Sequence, residues 1–159
     1  MRGIAANLIL AATAGTLAAS PPVYRQVRGQ FLAVDLPVEA RQGEDGDYRM
    51  QHGSQWATIA LMGSTPHFDE RTFDCGGARP AYRVSKPDLF AYSCLVGGGI
   101  IYHVEKYGRT YRVGASNATE TIELTVTYPA GQRSFWDPLV AHMSQSLTFP
   151  AHTRAKPHG

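Results

Sequence analysis

The chain has 159 residues, 43% of them hydrophobic and 18% charged, with a formal net charge of +2. That balance is too mild for the phosphate neutralisation that drives nucleic-acid binding, so nucleic acid is excluded as a partner. Beyond an apolar N-terminal run, roughly 140 residues remain, the commonest size for one domain and enough to bury a core.

Met1-Arg2 opens on a positive charge, Ile4 to Ala19 is apolar and rich in Ala and Leu, and Ser20-Pro21-Pro22 closes the stretch. A positive start, an apolar centre of about 7–15 residues and small residues at the end form a cleavable secretory signal. Residues 1–19 are therefore read as a signal peptide, with Thr16-Leu17-Ala18 or Leu17-Ala18-Ala19 supplying the cleavage site. A spanning helix needs roughly 20 apolar residues. This run is shorter and is interrupted by Asn7, Thr13 and Gly15, so no stable membrane span is expected after cleavage. No Cys follows the run, which argues against a lipid anchor. The expected location is periplasmic or secreted.

Residues 20–150 read as one domain. Gln30 to Leu36 alternates Phe31, Ala33 and Asp35 against Leu32, Val34 and Leu36, a strand pattern that stops at Pro37. Gly43-Glu44-Asp45-Gly46-Asp47 reads as a turn built on Asp45-Gly46. Its acidic groups lack the distal bidentate Glu of an EF-hand loop, so calcium is not expected there. Gln55 to Gly63 is apolar on both faces and predicts a central strand covered on each side. Ser64 to Pro80 has no periodicity and predicts a long loop, with room for one helical turn around Asp69 to Phe73.

Three antiparallel strands follow at about Ala81–Ser85, Leu89–Val96 and Ile100–Tyr107, reversing at Lys86-Pro87-Asp88 and Gly97-Gly98-Gly99. Gly108-Arg109 predicts a turn into a further short strand, Thr110–Val113. Glu120 to Tyr128 predicts a half-buried strand, with Ile122, Leu124, Val126 and Tyr128 inward and Thr121, Glu123, Thr125 and Thr127 outward. Ser134-Phe135-Trp136-Asp137 fits an N-terminal capping pattern, with Pro138 in the first turn of the helix it opens. Phe135, Leu139, Val140, Met143 and Leu147 form its apolar stripe. Residues 151–159 are polar and basic and are read as a disordered tail. The expected fold is α+β: a twisted antiparallel sheet of about six to seven strands, with one C-terminal amphipathic helix packed on one face.

Cys75 and Cys94 are the two cysteines. In an oxidising compartment such a pair is expected to form a disulfide, and closing a loop of about 20 residues contributes on the order of 3 kcal/mol. The rival reading, a nucleophilic Cys75 in Asp74-Cys75-Gly76-Gly77, needs a base, and nothing in the spacing of His67 or His103 ties either to it.

Three stretches resemble a group of uncharacterised exported proteobacterial proteins. They are Gly43-Glu44-Asp45-Gly46-Asp47 before a strand, Ser93 with Gly97–Tyr102, and Tyr128-Pro129 followed by Phe135–Val140 and Ser144–Phe149. The architecture of that group is similar to the Mog1/PsbP-like sandwich, and the likeness covers most of residues 30–149. It implies a binding or assembly module and supplies no catalytic set. Ser64–Pro80 is too short for a helix such folds often carry there. Cys94 stands where a small residue is expected, which strengthens the bridge to Cys75.

Chemistry-bearing residues are sparse. Among six histidines, only His67 with Asp69 and His103 with Glu105 have the two-residue spacing that puts both side chains on one strand face. Two donors are half a metal site at most, so exposed polar groups on a sheet face are the preferred reading, and neither metal nor cofactor is expected. His52 and His142 carry no such pairing, and His152 and His158 lie in the tail. Asp69, Glu70, Asp74, Glu105 and Glu123 are the acids from which a glycosidase pair would have to be drawn. No Gly-x-Ser-x-Gly, phosphate-loop or zinc signature occurs.

Binding character concentrates in Tyr102 to Arg112, where Tyr102, Tyr107 and Tyr111 interleave with His103, Lys106, Arg109 and Arg112. Aromatic planes beside cations suit sugars, stacked rings or anionic envelope polymers. Tyr102, His103, Lys106, Tyr107, Arg109 and Tyr111 are the candidate ligand residues. The favoured reading is a non-enzymatic exported module binding an envelope protein or polysaccharide. The alternatives are a small envelope hydrolase, or an inhibitor of a secreted hydrolase that presents the Ser64–Pro80 loop.

Overall fold

The computed structural model describes residues 20–63, Cys75 and residues 79–150, leaving aside the side chains of Val113 and Ser116. The expected signal at 1–19, the helical turn around Asp69–Phe73 and the tail at 151–159 lie outside these residues.

A first hairpin pairs β1 (Tyr24–Arg28) with β2 (Ala33–Pro37). Seven further strands follow: β3 (Arg41–Gln42), β4 (Tyr48–His52), β5 (Gln55–Gly63), β6 (Tyr82–Lys86), β7 (Leu89–Val96), β8 (Gly99–Val113) and β9 (Ser116–Pro129). They form one antiparallel sheet in the order β3-β4-β5-β9-β8-β7-β6. A short 3₁₀ turn (Ala130–Gln132) leads into α1 (Arg133–Ser146). This is the expected antiparallel sheet with one C-terminal helix, a mostly-sheet α+β arrangement.

Tight turns account for much of the order. Val96 pairs with Gly99, so Gly97 and Gly98 alone make the reversal, at φ 57° and 81°. Two successive left-handed residues are what a two-residue hairpin matched to the strand twist requires, and glycine adopts them without strain. The Asp45-Gly46 turn holds likewise, with Gly46 at φ 89° and Arg49 paired to Asp45.

Side chains on a strand alternate between the two faces. On the inner face, Ile122, Leu124 and Val126 of β9 are fully buried, together with Ile59 of β5 and Val104 of β8. They join one apolar cluster with Trp136, Leu139, Val140 and Met143 of α1, and with Leu32, Val34 and Leu36 beside and within β2. The hairpin β1–β2 is thus part of the same core. Ala33 and Thr148 exchange two backbone hydrogen bonds of 2.8 Å, and the Asp35 amide donates to Ser146 Oγ at 3.0 Å, so β2 is fastened to the chain leaving α1.

Several sequence expectations need correction. Ser134 does not cap α1: the residue at that position is Gln132, with no side-chain cap, and Ser134 lies inside the helix. Gln132 instead accepts a hydrogen bond from Trp136 Nε1 at 3.0 Å, and this fully buried ring, rather than half-buried Phe135, anchors the first turn. Pro138 is the sixth residue of α1 and lies in its second turn, not its first. β5 lies between β4 and β9 as an internal strand, but it is not covered on both sides, since Trp56 and Met62 are 58% and 55% exposed. Residues Thr110–Val113 are no separate strand. They continue β8 beyond a bulge between Tyr107 and Thr110. β1 went unpredicted because Arg25, Gln26 and Arg28 hide its alternation.

Candidate functional site

The strand β8 lies beside the central strand β9 and distributes the six candidate ligand residues over its two faces. Tyr102 and Lys106 pair across to Val126 and Ile122 and share the inner face, whereas His103 and Tyr107 pair with Thr125 and Thr121 on the outer one. Arg109 lies in the bulge and Tyr111 beyond it, both exposed. The structure therefore brings these residues together in pairs and not as one surface.

On the inner face, a cleft of about 500 Å³ opens between α1 and the adjoining ends of β6, β7 and β8. Tyr82, Tyr102 and Tyr128 line it, with Leu95, Val140 and Ala141 among the carbon surface and Arg133 and Asp137 among the polar groups. The Tyr128 hydroxyl donates to Asp137 Oδ1 at 2.6 Å, and Asp137 Oδ2 lies 3.2 Å from Arg133 Nη2. Burial first, then the hydrogen bond to the Asp137 carboxylate and its charge, hold the Tyr128 phenol well above its ordinary pKa. Tyr102 meets Ser144 Oγ at 3.2 Å, and burial raises its pKa as well. Both phenols thus stay protonated and neutral throughout the physiological range.

Lys106 reaches across to the end of α1. Its ammonium donates to the Leu147 carbonyl at 2.6 Å, a carbonyl just beyond α1 that no intrahelical amide reaches. Burial lowers its pKa, with Asp88 opposing. A second, smaller cavity of about 390 Å³ takes in Tyr111 with Phe31, Glu120 and Phe149.

The outer face carries the densest polar chemistry among the described residues. His103 is 9% exposed. Its Nδ1 lies 2.7 Å from Thr125 Oγ1 and its Nε2 lies 2.9 Å from Glu105 Oε1. The Tyr107 hydroxyl donates to Glu105 Oε2 at 2.5 Å. Glu123 stands directly opposite Glu105 in the β8–β9 register. One donor atom each from His103, Glu105 and Glu123 fall within 4.8 Å of one another. Beside them, Phe90, Tyr92 and the Cys75–Cys94 disulfide form a small buried cluster with Tyr107 packed on it. The Tyr92 and His103 rings lie 5.1 Å apart. The expectation of exposed polar groups at His103 is thereby corrected: it is buried, because the bridge and two aromatic rings build a second apolar layer on this face.

Compared with known proteins, the chain matches no family model and no curated protein sequence.

Of the remaining histidines, His52 stacks on Phe135 at 3.5 Å. His142 stacks on Tyr24 at 3.7 Å, with Nε2 3.6 Å from Asp35 Oδ2. His67, Asp69, Glu70, Asp74, His152 and His158 lie outside the described residues. The disulfide occupies Cys75, which removes the thiol nucleophile. Glu123 and Thr125 join His103 through the β8–β9 register, and their outward alternation on β9 is the one trace of this in the sequence.

Proposed function

We propose that this protein is an exported, non-enzymatic binding module that holds one sugar-sized ring of an envelope polysaccharide in the cleft between α1 and β6–β8. The observation that carries the reading is the convergence of Tyr82, Tyr102 and Tyr128 on one cavity of about 500 Å³, a volume within the usual range for small-ligand sites. Aromatic planes cover the apolar face of a sugar ring, and neutral phenols, Arg133 and Asp137 answer its hydroxyls.

Export is supported by the signal-like residues 1–19 and by the Cys75–Cys94 bridge, which suits an oxidising compartment. No helix among the described residues is long and apolar enough to cross a membrane. The arrangement assumed is a Mog1/PsbP-like sandwich, with α1 as an amphipathic cover on one sheet face, and the four buried residues of α1 support it. The hydrolase alternative keeps one observation, the facing carboxylates of Glu105 and Glu123.

Co-sedimentation with purified envelope polysaccharide tests the reading. Wild type is expected in the pellet. Ala141→Trp, which fills the cleft from an exposed helical position, is expected in the supernatant with its circular dichroism unchanged. Equal sedimentation of both proteins would show that the cleft does not hold the polysaccharide.

A further inference from the structure

We propose that His103, Glu105 and Glu123 form a binding site for a divalent transition-metal ion of the zinc class, on the sheet face opposite the cleft and independent of it. Backbone register creates the set. Glu105 and Glu123 are direct cross-strand partners on β8 and β9, and His103 lies two residues before Glu105 on the same face. Their donor atoms already lie within 4.8 Å of one another. Bonds of about 2.0–2.2 Å to a shared ion place its donors about 3.4 Å apart, so the ion would widen the 2.9 Å contact of His103 Nε2 with Glu105 Oε1 and take its place.

The surroundings have the character of a metal site's outer shell. A ligating histidine is ordinarily oriented by a hydrogen bond from its other ring nitrogen, and ligating carboxylates are themselves hydrogen-bonded. Thr125 Oγ1 sits on His103 Nδ1 at 2.7 Å, which leaves Nε2 facing the carboxylates. The Tyr107 hydroxyl holds the second oxygen of Glu105. Phe90, Tyr92 and the disulfide lower the local dielectric, which strengthens the attraction of two carboxylates for a cation. An imidazole with two carboxylates selects zinc-class ions over magnesium or calcium, which prefer oxygen donors throughout. Three protein donors leave a position for water.

The test is titration calorimetry of the chelator-treated full chain with zinc chloride alone, run beside magnesium chloride. The expected result is one zinc per chain and no magnesium heat. His103→Asn and Glu123→Gln should each weaken zinc binding by at least about a hundredfold, since losing a ligand costs no less than losing an outer-shell partner. Thr125→Val should weaken it by about tenfold, a readout that a purely structural role for Thr125 would not move. No zinc binding by wild type, or unchanged binding by Glu123→Gln, overturns the proposal. Equal affinity for magnesium overturns the assignment to the zinc class. Should His103→Asn fail to fold, Glu123→Gln decides alone.

Discussion

Glu105 and Glu123 stand directly opposite one another across the β8–β9 pair, and a single bulge puts them there. Near the turn, Thr110 pairs with Thr119; below the bulge, Tyr107 pairs with Thr121. Carrying the turn-side register down unchanged would set Glu105 against Leu124, a core residue on the other face. A one-residue shift of register moves every side chain across a sheet. The bulge at Gly108-Arg109 therefore decides whether the outer face carries two carboxylates or one.

Gly108 is where that bulge is most sensitive. A Cβ there would lie 2.9 Å from Phe149 Cζ and 3.0 Å from Glu120 Oε2. Gly108→Val is expected to cost about 1–3 kcal/mol by overpacking. Phe149→Ala in the same chain should recover part of that loss, because the two sites touch and their effects are not additive. Urea unfolding of the two single variants and the pair measures this. Full additivity would contradict the contact.

This bulge also marks the limit of what the sequence discloses. The alternation Ile122, Leu124, Val126, Tyr128 was plain, as were the reversal at Gly97-Gly98-Gly99 and the cysteine pair, because each depends on residues close in sequence or on one covalent bond. The partnership of His103 and Glu105 with Glu123 and Thr125 depends on a register that local pattern does not encode. Reading Gly108-Arg109 as a turn broke β8 in two and hid it. The cleft was hidden for a similar reason. Tyr82, Tyr102 and Tyr128 come from three strands that the pairing of β6 to β9 sets on one face, and the tertiary position of α1 closes the cleft over them.

Trp136 is fully buried and ties α1 to the 3₁₀ turn through Gln132. Trp136→Ala is expected to destabilise the protein by about 3–5 kcal/mol, the range for removing a buried aromatic side chain. Denaturant midpoints at constant m-value measure the loss. A change below about 1 kcal/mol would mean that this ring is not a keystone of the core.

The Cys75–Cys94 bridge spans 19 residues. Removing it by the double substitution to serine should cost about 3 kcal/mol, chiefly by releasing the unfolded chain. Thiol titration of the unreduced protein, native and in denaturant, should find no free sulfhydryl. Two reactive thiols in the denatured chain would contradict the bond.

Alkaline stability follows from the buried phenols. The folded-state pKa values of Tyr128 and Tyr102 are raised, mainly by burial, while the unfolded chain releases its phenol protons near pH 10. Above that pH the folded state binds more protons than the unfolded one, so stability falls as pH rises, and below it these groups contribute no slope. Unfolding free energies between about pH 9 and about pH 11 should therefore decline. Tyr128→Phe should flatten that decline. An identical slope in the variant would show that this phenol titrates normally.

A sugar ring held in the tyrosine-lined cleft has a direct thermodynamic signature. Titration calorimetry with a soluble disaccharide fragment of envelope polysaccharide tests it most directly, comparing wild type with Ala141→Trp. One site per wild-type chain is expected, with an affinity lower by at least about tenfold in the variant, a loss of about 1.4 kcal/mol. Binding of equal strength in both proteins, or none in wild type, would contradict it.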